Sequence, residues 1–202
     1  MKLANSQEAT EQAADIIKNG GLIAFRTDTF YGLGVDPFNA AAVHRIVELK
    51  GREANKPILV LISGESQISN FIVEQSPLFT AVARRFWPGP LTIIGQAHPE
   101  LPKELTAGSG TIGLRLPDDE HVRNLVRSCG GALTATSANP SNRPSARSAK
   151  EVQDYFATGI DLILDAGTTT AGKPSTVLDL SNVQPRLVRE GAISRGELKD
   201  FL

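Results

Sequence analysis

The chain has 202 residues, 41% of them apolar, with 21 Lys and Arg against 22 Asp and Glu for a formal net charge of -1. That length and apolar content suit one packed domain over residues 1–202 and exclude a disordered chain. The near-neutral total excludes any general pull toward nucleic acid or an acidic membrane surface.

Helical and extended patterns alternate along the chain. Asn5 with Glu8 can cap a first helix, whose Ala9, Ala13, Ile16 and Ile17 form an apolar stripe. Gly20-Gly21 stops it, and Leu22 to Phe25 reads as a short buried strand. Ala40 to Leu49 reads as helix, with Val43, Ile46 and Val47 on one face. Ile58 to Ile62 is an unbroken aliphatic run, a strand covered on both sides. Pro77 to Phe86 is helical and ends at Trp87-Pro88-Gly89-Pro90, where two prolines forbid continuation. Leu91 to Ile94, Thr111 to Leu116, Leu133 to Thr136, Leu162 to Asp165 and Thr176 to Leu180 read as strands. Glu120 to Ser128 and Ser148 to Phe156 read as helices, and Ser194 is expected to cap a final short one. Asn139 to Arg147 is the most loop-like stretch. An α/β or α+β domain is the simplest account.

Five segments carry candidate chemistry. Gly167, Gly172 and Lys173 mimic a phosphate-cradling loop after a strand, but Pro174 stands where a hydroxyl should hold magnesium. The β-prone Thr176 to Leu180 follows instead of a helix, so this is a glycine-rich turn. Lys50-Gly51-Arg52 with Lys56 places three cations within seven residues, a pairing of fork and point charge suited to polyphosphate. Taken alone, a solvated helix end with cations at the dipole's negative pole is the stronger reading. Thr136-Ser137-Ala138-Asn139-Pro140 follows a strand, where open α/β sheets bind ligands, although Ser/Asn turns are common. Arg115 lies inside the apolar run Ile112 to Pro117 and needs an anion: a ligand, or a structural carboxylate such as Asp118. Thr27-Asp28-Thr29-Phe30-Tyr31-Gly32 follows a strand with two hydroxyls and a glycine that permits close backbone approach.

Other chemistry lacks its residues. His44, His98 and His121 are scattered, no metal spacing occurs, and Cys129 is a lone thiol that cannot form an internal disulfide. No Gly-x-Ser-x-Gly elbow or aromatic-basic ladder is present. Met1 to Gln12 is polar and no apolar run approaches the ~20 residues that cross a bilayer, so a cytoplasmic protein without a membrane segment is expected.

In order, the chain resembles the YrdC-like threonylcarbamoyl-AMP synthases from Ile23 to Ser194. The matching stretches are Thr27 to Leu33, Lys50-x-Arg52, Trp87 to Thr92, Arg115-x-Pro117, Ser137-Ala138-Asn139, Ser175-Thr176-Val177 and Arg189-x-Gly191-Ala192-Ile193-Ser194. The resemblance implies a twisted open mixed α/β sheet flanked by helices around a positively charged cavity. It implies that Arg52, Lys56, Thr111, Ser137, Ser145 and Arg189 contact ATP, and that Thr29, Arg115 and Ser175 hold L-threonine. Lys50, Arg52, Ser137 and Asn139 form the two signature motifs. The implied activity joins L-threonine, bicarbonate and ATP into threonylcarbamoyl-AMP and pyrophosphate, with Mg2+ carried by the phosphates and no dedicated metal site. The product would pass to a tRNA threonylcarbamoyl-transferase complex, with weak tRNA binding as a further expectation. The alternatives are a non-catalytic RNA-binding module of this fold and a paralogue acting on another carbamoyl or acyl adenylate. Arg26, Glu53 and Glu190 stand where prolines are usual, and Leu61 where some members place a histidine.

Overall fold

In the computed structural model, residues 1–51, 57–170 and 172–202 are described; Arg52, Glu53 and Lys56 lie outside them. In chain order the elements are β1 (Lys2–Ala4), α1 (Gln7–Lys18), β2 (Ile23–Arg26), β3 (Tyr31–Gly34), α2 (Ala40–Lys50) and β4 (Val60–Ile62). Then come a 3-10 turn at Glu65–Asn70, α3 (Pro77–Phe86), β5 (Leu91–Gln96), α4 (Lys103–Thr106), β6 (Thr111–Arg115) and α5 (Glu120–Ser128). The last are β7 (Ala132–Thr134), β8 (Thr136–Ser137), α6 (Ala149–Tyr155), β9 (Leu162–Asp165), β10 (Thr176–Asp179), β11 (Arg186–Arg189) and a 3-10 turn at Lys199–Phe201.

Helix starts follow side-chain caps. Ser6, not Asn5, caps α1: its hydroxyl accepts from Ala9 N at 3.1 Å, while Asn5 N continues the β1–β9 ladder by donating to Asp165 O. Asn39, Ser76, Asp119 and Ser148 cap α2, α3, α5 and α6 in the same way, and Pro77 opens α3. Ser194 does not cap the terminal helix. It forms a closed turn with Glu197, whose carboxylate accepts from Ser194 N and Oγ at 2.9 and 2.7 Å, and the 3-10 turn starts only at Lys199.

The architecture is mixed α/β with flanking helices, as expected, and its strands fall into two mixed sheets. One runs β1-β9-β2-β3-β8 and the other β11-β10-β5-β6-β4-β7. The segment expected as one strand over 133–136 supplies both: β7 pairs with β4, and two residues later β8 pairs with β3. Thr134 makes the step possible. Its N–H donates to Val35 O at 3.0 Å and its hydroxyl accepts from Val35 N at 2.9 Å, while Ala135 N turns to Leu59 O. The crossover therefore leaves no buried backbone donor stranded. Helices α1 and α5 cover one face of the first sheet through Ala13, Ile17, Val122, Leu125 and Val126, packed on Ile23, Phe25 and Leu162. The larger core, with Val60, Phe79, Ile93 and Leu114, joins the second sheet to α2, α3 and α4. No helix among the described residues is long and apolar enough to cross a membrane.

Candidate active site between the two sheets

A cavity of about 410 Å³ opens where the sheets meet, within the size range of small-molecule sites. The β2–β3 loop lines it with Thr27, Thr29 and Phe30, β8 with Ser137, β6 with Thr111 and Arg115, and the β10–β11 hairpin with Ser175 and Arg189. Tyr31, Thr92, Thr136 and Ser145 complete the polar lining; no carboxylate is among the described lining residues. Of the expected contacts, Thr29, Thr111, Arg115, Ser137, Ser145, Ser175 and Arg189 thus share one hollow. Arg52 and Lys56 lie outside the described residues.

Arg115 ends β6 and is 3% exposed, so its charge needs acceptors at fixed positions. Nε donates to Gly89 O at 3.0 Å, Nη1 to Thr29 Oγ1 at 3.4 Å, and Nη2 to Asp28 Oδ2 in a close ion pair. The carboxylate is therefore Asp28, not Asp118. The β2–β3 loop brings Asp28 across the sheet interface, a proximity that spacing along the sequence does not show. Burial lowers the Arg115 pKa most, Asp28 raises it again, and Arg189 adds to the lowering.

The loop itself is held by Thr27. Its Oγ1 accepts from Thr29 N and Phe30 N at 3.1 and 3.2 Å, lies 2.9 Å from Thr29 Oγ1 and donates to Phe30 O at 2.7 Å. Thr169 Oγ1 donates to Thr29 O at 2.7 Å, and Tyr31 OH donates to Gly167 O at 2.8 Å. The glycine-rich segment is thus a strap over the β2–β3 loop, and β10 follows it where a phosphate loop would have a helix.

On the opposite wall, Arg189 donates from Nε and Nη2 to Ser175 O at 3.1 and 2.8 Å and from Nη2 to Ser175 Oγ at 3.2 Å. Ser175 Oγ lies 3.1 Å from Thr92 Oγ1. The Thr176 hydroxyl accepts from Gly191 N and Ile193 N at 3.0 and 2.9 Å, drawing the chain after β11 back against the start of β10. Gly191 is required there: a Cβ would collide with Pro174 O and Ser175 O. Arg189 is the more exposed guanidinium, yet burial of its cavity side lowers its pKa too.

The signature motifs meet one another. α2 ends in Gly51 at φ 55°, a left-handed turn that glycine takes without a Cβ penalty. Lys50, just before it, is buried, and its Nζ donates to Ser137 O and, at 2.7 Å, to Asn139 O. Ser141 N returns a bond to Lys50 O at 3.0 Å. Asn139 donates to Pro140 O and Arg143 O at 3.0 and 2.6 Å. Lys50 and Asn139 therefore brace the loop that presents Ser137, and neither lines the cavity. For Lys50 this differs from the expected phosphate contact. Cys129 lies elsewhere, its pKa pushed up to about 12 by burial, so it is a thiol at neutral pH.

Sequence reasoning passed over Thr27 as a hub, Asp28 as a counter-ion and Thr92 as the Ser175 partner. All three lay inside quoted motifs; the Thr-Asp-Thr run after a strand was the signal for Thr27 and Asp28, and Thr92 had only its place in the Trp87 to Thr92 stretch.

This two-sheet α/β fold closes on a small cavity whose described lining carries two guanidiniums and nine hydroxyl side chains, an arrangement chemically suited to small anionic ligands. The chain belongs to the Sua5/YciO/YrdC family, described as "Telomere recombination", whose profile matches residues 15–191. It is 37% identical over 190 residues to the threonylcarbamoyl-AMP synthase of Pyrococcus abyssi, a match covering 94% of this chain and 56% of that protein. It is 37% identical over 182 residues to the threonylcarbamoyl-AMP synthase of Thiobacillus denitrificans, covering 90% of this chain and 96% of that one. The crystal structure of P. abyssi Sua5 complexed with L-threonine superposes with a TM-score of 0.93 at 35% identity, over 100% of this chain and 59% of the other. The chain thus spans a little over half of the Pyrococcus relative and nearly all of the Thiobacillus one.

Proposed function

We propose that the chain is an L-threonylcarbamoyladenylate synthase, converting L-threonine, bicarbonate and ATP into threonylcarbamoyl-AMP, pyrophosphate and water. The observation that carries this reading is the shared hollow. Arg115 and Arg189 face one cavity, and hydroxyls from both sheets line it between them. Two anions of different kinds can be held there side by side.

In this reading Arg115 grips the threonine carboxylate. Its three internal contacts leave Nη1 and Nη2 one further hydrogen each, the pair a bidentate carboxylate needs. Thr29 and Ser175 take the threonine hydroxyl. A site built to hydrogen-bond a hydroxyl rejects analogues lacking it strongly, which separates threonine from valine. Arg189, Thr111, Ser137 and Ser145 hold ATP, with Arg52 and Lys56 as further proposed contacts. Lys50 and Asn139 serve as positioning residues through the Ser137 loop. The threonine amine takes up the bicarbonate-derived carbon to give a carbamate. A carbamate oxygen then attacks the α-phosphorus, and pyrophosphate leaves with the bond it breaks. Positioning and charge neutralisation supply most catalysis of such transfers.

Among the described residues no group of three or more His, Cys, Asp or Glu gathers, so Mg2+ fits best as a passenger on the ATP phosphates, where it would offset their charge. We read residues 1–202 as one YrdC-like domain, because both sheets draw strands from both halves of the chain. A cytoplasmic location, transfer of the product to a tRNA threonylcarbamoyl-transferase complex and weak tRNA contact belong to the same reading. Pyrophosphate release with ATP, bicarbonate and each of threonine, serine and valine tests it. Release with threonine well above valine is expected, and no threonine-dependent release would refute the reaction.

A further inference from the structure

Asp28 is the charged group that the proposed reaction leaves without a task. Thr27 and Thr29 on either side of it line the cavity, while Asp28 itself is not among the lining residues and pairs with Arg115, which is. Oδ2 accepts from Arg115, and Oδ1 is buried with no hydrogen-bond partner among the described residues. A carboxylate recruited to tie a loop together normally has both oxygens bonded. Among the described residues Asp28 has one side-chain partner, so what it contributes is its charge. Across the cavity, Arg189 donates only to Ser175 among the described residues and has no carboxylate beside it. The two guanidiniums feel one another, since Arg189 adds to the lowering of the Arg115 pKa. One cavity therefore holds two cations, one neutralised and one not.

We propose that Asp28 determines which anion goes to which arginine. Resting on the reading of this cavity as a joint threonine and ATP site, the reason is electrostatic. A triphosphate carries several negative charges and a carboxylate one, so repulsion from Asp28 grows with ligand charge and falls hardest on phosphate. The neutral Asp28–Arg115 pair still offers a two-hydrogen fork, which a monoanion can accept at small repulsive cost. Arg189, uncompensated, remains the stronger attractor for phosphate. Asp28 is thus a specificity-determining residue that keeps polyphosphate out of the threonine subsite.

Calorimetric titration of the full chain with inorganic tripolyphosphate tests this. Wild type is expected to bind one tripolyphosphate, which L-threonine does not displace. Asp28→Asn, which keeps the shape and one acceptor for Arg115, is expected to gain a second site at least about tenfold tighter than any residual wild-type binding there, the effect of one nearby charge at an effective dielectric of about 20. L-threonine should displace that second ion, and adding Arg115→Gln should abolish it. Asp28→Glu should behave as wild type. Wild-type stoichiometry in folded Asp28→Asn, with no displacement by threonine, would overturn the proposal. Should Asp28→Asn not fold, the wild-type arm still decides: tripolyphosphate displaced by L-threonine there is the overturning result. Stoichiometry is read without turnover, so a wild type that fails to release pyrophosphate would sink the reaction while leaving this measurement to stand or fall separately.

Discussion

Arg115 and Arg189 reach the same cavity from different strands and are held in opposite ways. Arg115 is sealed at the end of β6, with a dedicated carboxylate, a backbone carbonyl and a threonine hydroxyl around it. Arg189 rises from the edge strand β11, keeps an exposed side and rests on one serine. A buried charge is bound into the fold through its counter-ion, so removing it disturbs folding and binding together. A rim charge can be removed with water taking its place. The difference predicts that two substitutions of the same residue type in one pocket will have different signatures.

The largest effect should come from Arg115→Leu. It leaves the half-buried Asp28 without its only side-chain partner among the described residues, a loss of about 3–5 kcal/mol. For a chain of this length that lowers the melting temperature by about 6–20 °C. Threonine titration should show the apparent affinity lost as well. Changing Arg115 and Asp28 together to Leu should recover much of the stability and none of the threonine binding, because an ion pair replaced by apolar groups leaves no orphaned charge. Unaltered threonine affinity in Arg115→Leu would break the comparison at its root.

Lys50→Met comes next. The Ser137 and Asn139 carbonyls lose their buried ammonium, a cost of about 2–3 kcal/mol. Adenylate formation should fall at least about tenfold, equivalent to about 1.4 kcal/mol, as the Ser137 loop loosens. Normal melting with a selective loss of ATP affinity would instead make Lys50 a phosphate ligand, as its sequence neighbourhood suggests. For Arg189→Ala the expectation is reversed: ATP affinity down about tenfold, with stability changed by under about 1 kcal/mol. A melting loss as large as that of Arg115→Leu would remove the distinction between the two sites.

How legible these features were in the sequence follows from the range of the contacts. Elements carried by their own periodicity, such as α3 with its capping serine and N1 proline, match their expected bounds. β3 was missed because Tyr31-Gly32-Leu33-Gly34 has the glycines that weaken a strand, and Gly34 serves packing instead. A Cβ on Gly34 would sit 2.8 Å from Leu133 Cγ and Phe25 Cε1. β11 was missed because Arg-Leu-Val-Arg offers a single short apolar pair on an edge. Thr29 and Ser137 were legible because each lies just past or at the end of a strand, where ligand groups gather, and Arg115 because a charge stands inside an apolar run; Thr111, Ser145, Ser175 and Arg189 were marked only by the family resemblance. The pairing of Arg115 with Asp28, 87 positions apart, depends on the meeting of two sheets, and that of Lys50 with Asn139, 89 apart, on the end of α2 reaching the loop after β8. No local pattern encodes either.

The smallest effects concern the β2–β3 loop, which opens after Arg26, standing where related chains usually have proline, a residue that would stiffen the loop. Arg26 Nη2 reaches Asp119 Oδ2 at 3.4 Å, a half-buried pair whose carboxylate also caps α5. Such a pair contributes about 0–1 kcal/mol, so Arg26→Ala should shift melting slightly and leave the threonine KM alone. Thr27→Val is the informative partner. It keeps the volume and deletes the hydroxyl to which Thr29 N and Phe30 N donate, a cost of about 1–3 kcal/mol, and it releases Thr29 from its place against Arg115. The threonine KM should rise in Thr27→Val and stay flat in Arg26→Ala. If Arg26→Ala raised it equally, loop stiffness would rest on the surface ion pair, and the buried hydroxyl hub would lose its claim to set the Arg115 side of the pocket.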